Sequence, residues 1–155
     1  MPSAWITEWN TILRKAIWKD SKLKELMMIP DGIDIITFFD KYFIRAGYAN
    51  TLVEHEDVRI TYGVLGNSDT EVPDVKRNQL TFDIYVKTEH LHDADRDRLL
   101  YRTVLIADRL KELLKRNDFI EGTGYKFRLA GEGELGTRTI GYARYGISFS
   151  FMRVY

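Results

Sequence analysis

Asn78-Gln79-Leu80-Thr81-Phe82-Asp83-Ile84-Tyr85-Val86-Lys87 is the stretch on which the fold turns. Leu80, Phe82, Ile84 and Val86 alternate with Thr81, Asp83, Tyr85 and Lys87. Successive side chains of a strand point to opposite faces, so this alternation predicts a strand with one apolar and one polar face. Val58, Ile60, Tyr62 and Val64 alternate with Arg59 and Thr61 in the same way. After a Gly122-Thr123-Gly124 turn, Tyr125, Phe127 and Leu129 alternate with Lys126 and Arg128. The closing strand carries Tyr145, Ile147, Phe149 and Phe151 on one face and Arg144, Gly146, Ser148, Ser150 and Met152 on the other. A sheet built of these four strands needs cover on its apolar face alone.

The cover comes from segments with helical periodicity. Trp5, Ile6, Trp9, Ile12, Leu13 and Ala16 share one face of a helix that Ser3 caps. Trp18 points away from that stripe, so the helix ends near Lys19 or leaves a tryptophan outside. Asp20-Ser21 caps a short second helix with Leu23, Leu26 and Met27 inward, stopped by Pro30, and Asp31-Gly32 marks a turn. Residues 34–44 read as a short helix capped by Asp34, with Ile35, Ile36, Phe39, Tyr42 and Phe43 inward, although so many Ile and Phe also suit a strand. Asp93 caps a long helix from about Ala94 to Arg116, whose buried stripe is Leu99, Thr103, Ile106, Ala107, Leu110, Leu113 and Leu114. Asp95 and Asp97 in its first turn, and Lys115-Arg116 in its last, suit the helix dipole. The fold class is therefore α+β, in the order α-α-β-β-α-β-β: a mainly antiparallel four-stranded sheet with helices packed on one face.

Two polar segments read as connections. Gly63 to Asn78, with Gly66-Asn67-Ser68-Asp69 and Pro73, is long for a hairpin connection, and Gly131-Glu132-Gly133-Glu134-Leu135-Gly136 reads as a flexible link. Neither divides the chain, and its 155 residues suit one domain spanning 1–155. Apolar residues are 45% and charged residues 30%, a globular composition. Lys plus Arg is 23 and Asp plus Glu is 23, so the chain lacks the basic excess expected of a protein that grips nucleic acid. There is no cysteine, which excludes disulfides, thiolate zinc sites and cysteine nucleophiles, and leans towards an intracellular setting. No signal peptide is expected from Met1-Pro2-Ser3-Ala4-Trp5, and no apolar run approaches the ~20 residues of a membrane span.

The routes to chemistry find little support in the residues present. His90-Leu91-His92-Asp93-Ala94-Asp95 could hold a divalent metal, but a strand end followed by a helix cap is the preferred reading. His55-Glu56-Asp57 is a similar polar approach to a strand, and nothing in the sequence ties it to that cluster. A metal-dependent nuclease would set acids and a lysine on adjacent strands; Pro73-Asp74 and Asp83-Ile84-Tyr85 begin such a pattern, yet Tyr85 stands where the lysine belongs. There is no Gly-x-Ser-x-Gly elbow. The glycines of 131–136 precede no helix and carry two glutamates that would repel pyrophosphate. No catalytic, cofactor-binding or metal residue is assigned, no cofactor is expected, and the expectation is a protein that is not an enzyme.

Surfaces for partners are better marked. Arg98, Arg102, Arg109 and Arg116 recur at spacings of four, seven and seven, with Tyr101 and Leu105 beside them opposite the buried stripe. A solvated helix face is the plain explanation; contact with a neighbouring subunit or a phosphate backbone is the functional one. Asp69, Glu71, Asp74, Lys76 and Arg77 make the second candidate, a segment too polar to pack alone that a neighbour could order. The candidate subunit interface is thus Asp69, Glu71, Asp74, Lys76, Arg77, Arg98, Tyr101, Arg102, Leu105 and Arg109.

The strand 78–87 running into His92-Asp93-Ala94-Asp95-Arg96-Asp97-Arg98-Leu99-Leu100 resembles the neck and tail-completion proteins of tailed bacteriophages, the tail terminators above all. Leu23-Lys24-Glu25-Leu26, Lys41-Tyr42-Phe43-Ile44 and the closing aromatic strand fit the same layout. The resemblance implies a structural virion protein assembled in the host cytoplasm. It would form a ring with copies of itself, a hexamer in that family, that caps the tail tube and joins it to a head-side connector or stopper protein. DNA would pass through the lumen, no membrane would be involved, and the family has no catalytic residues to carry over. A head-completion or stopper protein is the nearest alternative, and a metal-dependent nucleic-acid enzyme using the His90 to Asp95 cluster a more distant one.

Overall fold

The computed structural model describes residues 4–45, 57–69, 75–93, 98–99, 101–115, 125–136 and 141–154. Helix α1 spans Ala4–Lys19 and α2 spans Ser21–Leu26. The Asp20 carboxylate caps α2 by accepting from the Leu23 amide at 2.9 Å, which satisfies one of the free donors at a helix start. Asp34 caps a single turn, α3 (Ile35–Thr37), which widens into a π-turn at Phe38–Tyr42. Ser3 and the Gly122-Thr123-Gly124 turn lie outside the described residues.

Strand β1 (Phe43–Arg45) follows directly, and it is a fifth strand beyond the four expected. The ambiguity of 34–44 resolves into both answers, a helical turn and then a strand, because Phe43 and Ile44 fill the edge beside β2 (Val58–Asp69). The other strands are β3 (Val75–Lys87), the short β4 (His92–Asp93) and β5 (Arg98–Leu99), then β6 (Tyr125–Leu135) and β7 (Tyr142–Val154). The main sheet runs β1-β2-β3-β7-β6, with β1 parallel to β2 and the remaining pairs antiparallel. Gly141, at φ 86°, sits just before β7 in a conformation that costs glycine little, and its carbonyl accepts from the Thr88 amide.

Every strand residue in the core cluster lies on one sheet face. Phe43, Ile60, Tyr62, Phe82, Ile84, Ile147 and Phe149 meet Leu13 and Ile17 of α1, Leu23 of α2, Met27 just after it, and the inner stripe of α4 (Arg102–Lys115). The helices therefore cover one face of an α+β sheet, as the alternation predicts. Thr103, Ile106, Ala107, Leu110, Leu113 and Leu114 are all buried as expected.

Three boundaries differ. The long helix starts at Arg102, not near Ala94: Asp93 pairs with Arg98 in the β4–β5 ribbon, and Leu99 belongs to β5 rather than to the helix stripe. Tyr101 has φ 47°, a left-handed conformation that no α-helix continues through. The connection expected over Gly63 to Asn78 contracts to the residues between Asp69 and Val75, because β2 and β3 stay paired out to Asp69 opposite Lys76. Its turn-prone residues are absorbed by a register shift between Leu65 and Ser68. The glycine-rich 131–136 segment, expected as a link, is strand for most of its length: Gly133 lies opposite Gly146 and Leu135 opposite Arg144. The long closing strand offers hydrogen-bond partners that outweigh the poor strand propensity of glycine.

Candidate functional surface

The arginines of α4 turn inward. Arg109 and Asp20 are each only 8% exposed. The guanidinium grips both carboxylate oxygens, with Nε donating to Oδ2 at 2.8 Å and Nη2 to Oδ1, while Nη1 donates to Glu112 Oε2 at 2.7 Å. Asp20, ahead of Glu112, raises the Arg109 pKa above its ordinary value. Arg102 donates from Nη1 to the Leu26 carbonyl at 2.9 Å and from Nε to the His90 carbonyl at 3.1 Å, closing the C-terminal end of α2. These two members of the expected interface thus hold α2 and α4 together. Arg98 lies in β5, outside the helix, and Arg116 lies outside the described residues. Tyr101 and Leu105 do face outward, 48% and 36% exposed.

Of the other expected interface residues, Asp69 ends β2 opposite Lys76, and Arg77 follows in β3. Glu71 and Asp74 lie outside the described residues. The paired arms carry Asp69, Lys76 and Arg77 to one end of the sheet.

His90 and Asp57, which nothing in the sequence ties together, meet in space. His90 Nε2 lies 3.5 Å from Asp57 Oδ1 and 3.5 Å from Glu89 Oε1. One potential ligand atom from each of these residues falls within 4.8 Å of the others. Lys87 Nζ already sits 3.1 Å from the same Asp57 oxygen, so an ammonium occupies the position where a cation would bind. The Lys87 hydrogen bond first, and His90 less, hold the Asp57 carboxyl below its usual range, and Asp57 correspondingly raises Lys87. His92 and Asp93 contribute backbone to β4, and Asp95 lies outside the described residues.

Over β3 and β7, the sheet face opposite the core pairs its charges across strands, while at the β1–β2 edge Ile44 and Arg59 on that face are buried. Asp83 meets Arg144 at 3.1 Å, which takes up the carboxylate that a nuclease pattern would need. On the covered side, Lys111 joins Asp108 at 3.0 Å and Glu132 at 2.8 Å, and the Tyr145 hydroxyl donates to Glu132 at 3.0 Å. Burial first, then Glu132, raises the Tyr145 phenol.

A groove that the sequence did not mark is also left open. A cavity of about 500 Å³ lies between α1 and α3, floored by Trp18, Ile35, Ile36 and Phe39 and rimmed by Arg14, Lys15 and Lys19, with Asp40 the one acid in its lining. Ile35 and Ile36, expected inward, are 47% and 71% exposed. One turn of helix cannot bury every side; Phe38 and Phe39 take the inward side and the two isoleucines face the groove. Trp18 is half-buried, packed at 5.4 Å on Phe38 with Lys24 Nζ 3.8 Å from its ring centre. A second cavity of about 420 Å³ lies on its other side, towards Pro30 and Gly32. Two neighbouring signals were visible in the sequence: a tryptophan off the helix stripe, and an Ile-Ile pair in a segment of undecided type.

Fold and surface together define an α+β protein in which helices back one face of a mainly antiparallel sheet. Within that class the chain belongs to the YomW family, whose model matches residues 10–151. That family is phage-derived and Bacillus SPbeta-like, so this is a phage-related protein. No curated protein matches the chain. Among the described residues, no helix is long and apolar enough to cross a membrane.

Proposed function

We propose that the chain is a structural subunit of a phage neck: a ring-forming tail terminator that caps the tail tube and joins it to the head-side connector. What carries this reading is how the chain disposes of its side chains. Four acids among the described residues are each joined to a base, Asp20 with Arg109, Asp57 with Lys87, Asp83 with Arg144 and Glu132 with Lys111. Large apolar groups instead remain outside, Ile36 and Tyr101 foremost. Spent charges and open apolar surface suit assembly better than acid–base work, which needs titratable groups held poised. The phage-derived family supports the setting. Near-neutral net charge lowers the repulsion between copies.

The test is the mass of the purified protein in solution, together with electron microscopy of particles made without it. A discrete ring, with tails of abnormal length or tails left unattached to heads, is expected. A strictly monomeric protein, with normal virions formed in its absence, overturns the proposal. Tails of normal length beside leaking heads assign the chain to the head-completion or stopper role instead. The Asp57–Glu89–His90 grouping is the one observation favouring a metal-dependent nuclease; DNA cleavage in manganese, lost in His90→Ala, would establish that reading and displace the structural one.

A further inference from the structure

We propose that the groove beside Trp18 receives the tip of the β2–β3 hairpin, residues 69–75, from a second copy of this chain. The inference rests on the ring reading above and names its contact. The groove pairs an apolar floor with a basic rim. Lys15 and Lys19 are exposed, and among the described residues neither has an ion-pair partner. Asp69-Thr70-Glu71-Val72-Pro73-Asp74-Val75 is its complement: Val72-Pro73 between two carboxylates, with Asp69 set opposite Lys76. Apolar centre would meet apolar floor, and Glu71 and Asp74 would meet Lys15 and Lys19, the complementarity that fixes register at an interface.

The tip cannot reach its own groove. Arg14 lines the groove and also donates from Nε to the Tyr62 hydroxyl at 3.2 Å, so the groove lies beside the Tyr62 level of the sheet. Ile35 and Ile36 precede Phe38, which stacks on Phe43 opposite Ile60, so the groove extends away from the hairpin end. From Tyr62 to Asp69, β2 advances about 23 Å at the usual strand rise. Both arms are held in ladders, since Asp69 pairs with Lys76 and Val75 with Val154. The residues between them can double back by about 10 Å at most. The contact must therefore be made in trans, tip of one copy to groove of the next, and such a heterologous contact can close into a ring.

The test uses the full chain and two charge-reversed variants, Lys15→Glu/Lys19→Glu and Glu71→Lys/Asp74→Lys. Circular dichroism first verifies that each is folded; for the lysine variant this is expected because Lys15 and Lys19 are exposed. Each variant alone should lose assembly, its apparent Kd rising about tenfold or more. An equimolar mixture should recover it, since each tip then finds a groove of opposite charge. A wild-type monomer would sink the ring reading together with this one. A wild-type ring that either variant leaves unchanged, or that the mixture fails to restore, overturns the docking alone. Because the chain has no cysteine, Lys19→Cys/Glu71→Cys gives a second readout. Oxidation should yield a ladder of linked copies, and linked monomers or nothing at all would overturn the contact.

Discussion

Replacing Arg109 with methionine tests whether the fold depends on the Asp20–Arg109 pair. The arginine stem is kept and the guanidinium removed, so the Asp20 carboxylate stays buried, with the Leu23 amide still donating to it at 2.9 Å. Removing one partner of a buried pair costs about 3–5 kcal/mol, most of it from the charge left behind. The α2 cap solvates that charge partly, which places the expected cost near 3 kcal/mol. The lost bridge to Glu112, whose side chain is 62% exposed, adds under about 1 kcal/mol. At this chain length such a loss lowers Tm by roughly 6–12 °C. Asp20→Asn keeps a capping side chain without the charge, so Asp20→Asn/Arg109→Met should recover on the order of 2 kcal/mol relative to the summed single effects. Urea denaturation followed by circular dichroism measures all four species, at one fixed protomer concentration because assembly raises apparent stability. Strictly additive effects, or an Arg109→Met cost below about 1 kcal/mol, would refute a stabilising role for the pair.

Three further outcomes are expected. The Asp57 carboxyl is lowered from 3.8 in the fold, so its contribution is complete above the unfolded value and fades as pH falls through the folded one. Lys87 is raised from 10.5, so its share fades as pH rises through its folded value; Asp57→Asn should flatten both limbs of a Tm-against-pH curve, and an unchanged curve would remove the pair from the account. A Cβ at Gly146 would lie 2.5 Å from Leu135 Cδ1, the far end of a side chain that is 45% exposed. Gly146→Ala should thus be nearly neutral in urea, its strand gain of about 0.5–1 kcal/mol offset by displacing Leu135, and should become stabilising when Leu135 is also alanine. Finally, with Arg102 and Arg109 committed to α2 and its cap, DNA binding in a filter assay should be weak and show little salt dependence; a steep loss between 50 and 200 mM salt would restore the arginine row as a phosphate surface.

The strands were legible because burial follows their alternation. Leu80, Phe82, Ile84 and Val86 are fully buried and the residues between them are not, so one physical rule decides both the strand and its orientation. The arginine row was misplaced for a reason that the same kind of geometry exposes. Positions 102, 106, 109 and 113 recur at helical spacing, so Arg102 and Arg109 flank the seam that buries Ile106 and Leu113. Lining up Arg98 with them required a helix through Tyr101, and the left-handed backbone there breaks it. Asp20 was readable as a cap, whereas its bond to Arg109, 89 positions away, depends on packing that no local pattern encodes. The groove was illegible on the same ground: Trp18 and Ile36 become neighbours only when α3 folds back against α1.

The two kinds of surface that remain make different demands. On the uncovered sheet face, Thr81 and Ser148 share a hydrogen bond at 3.3 Å, and Asp83 and Arg144 share charge beside the Tyr85 ring. These cross-strand pairs already engage much of the polar surface there, so leaving that face to solvent costs the subunit little. At the groove, exposed isoleucine cannot be satisfied by water, and among the described residues Lys15 and Lys19 have no ion-pair partner. An interface gains most where apolar area is still wet and charge is still unpaired, which favours the end of the molecule at Trp18 over the broader and more polar sheet face. Because the β2 and β3 arms end at Asp69 and Val75, away from that groove, copies joined in the proposed way would all point in the same sense around a ring. The self-paired sheet face would then stay free for the lumen or for a neighbouring ring.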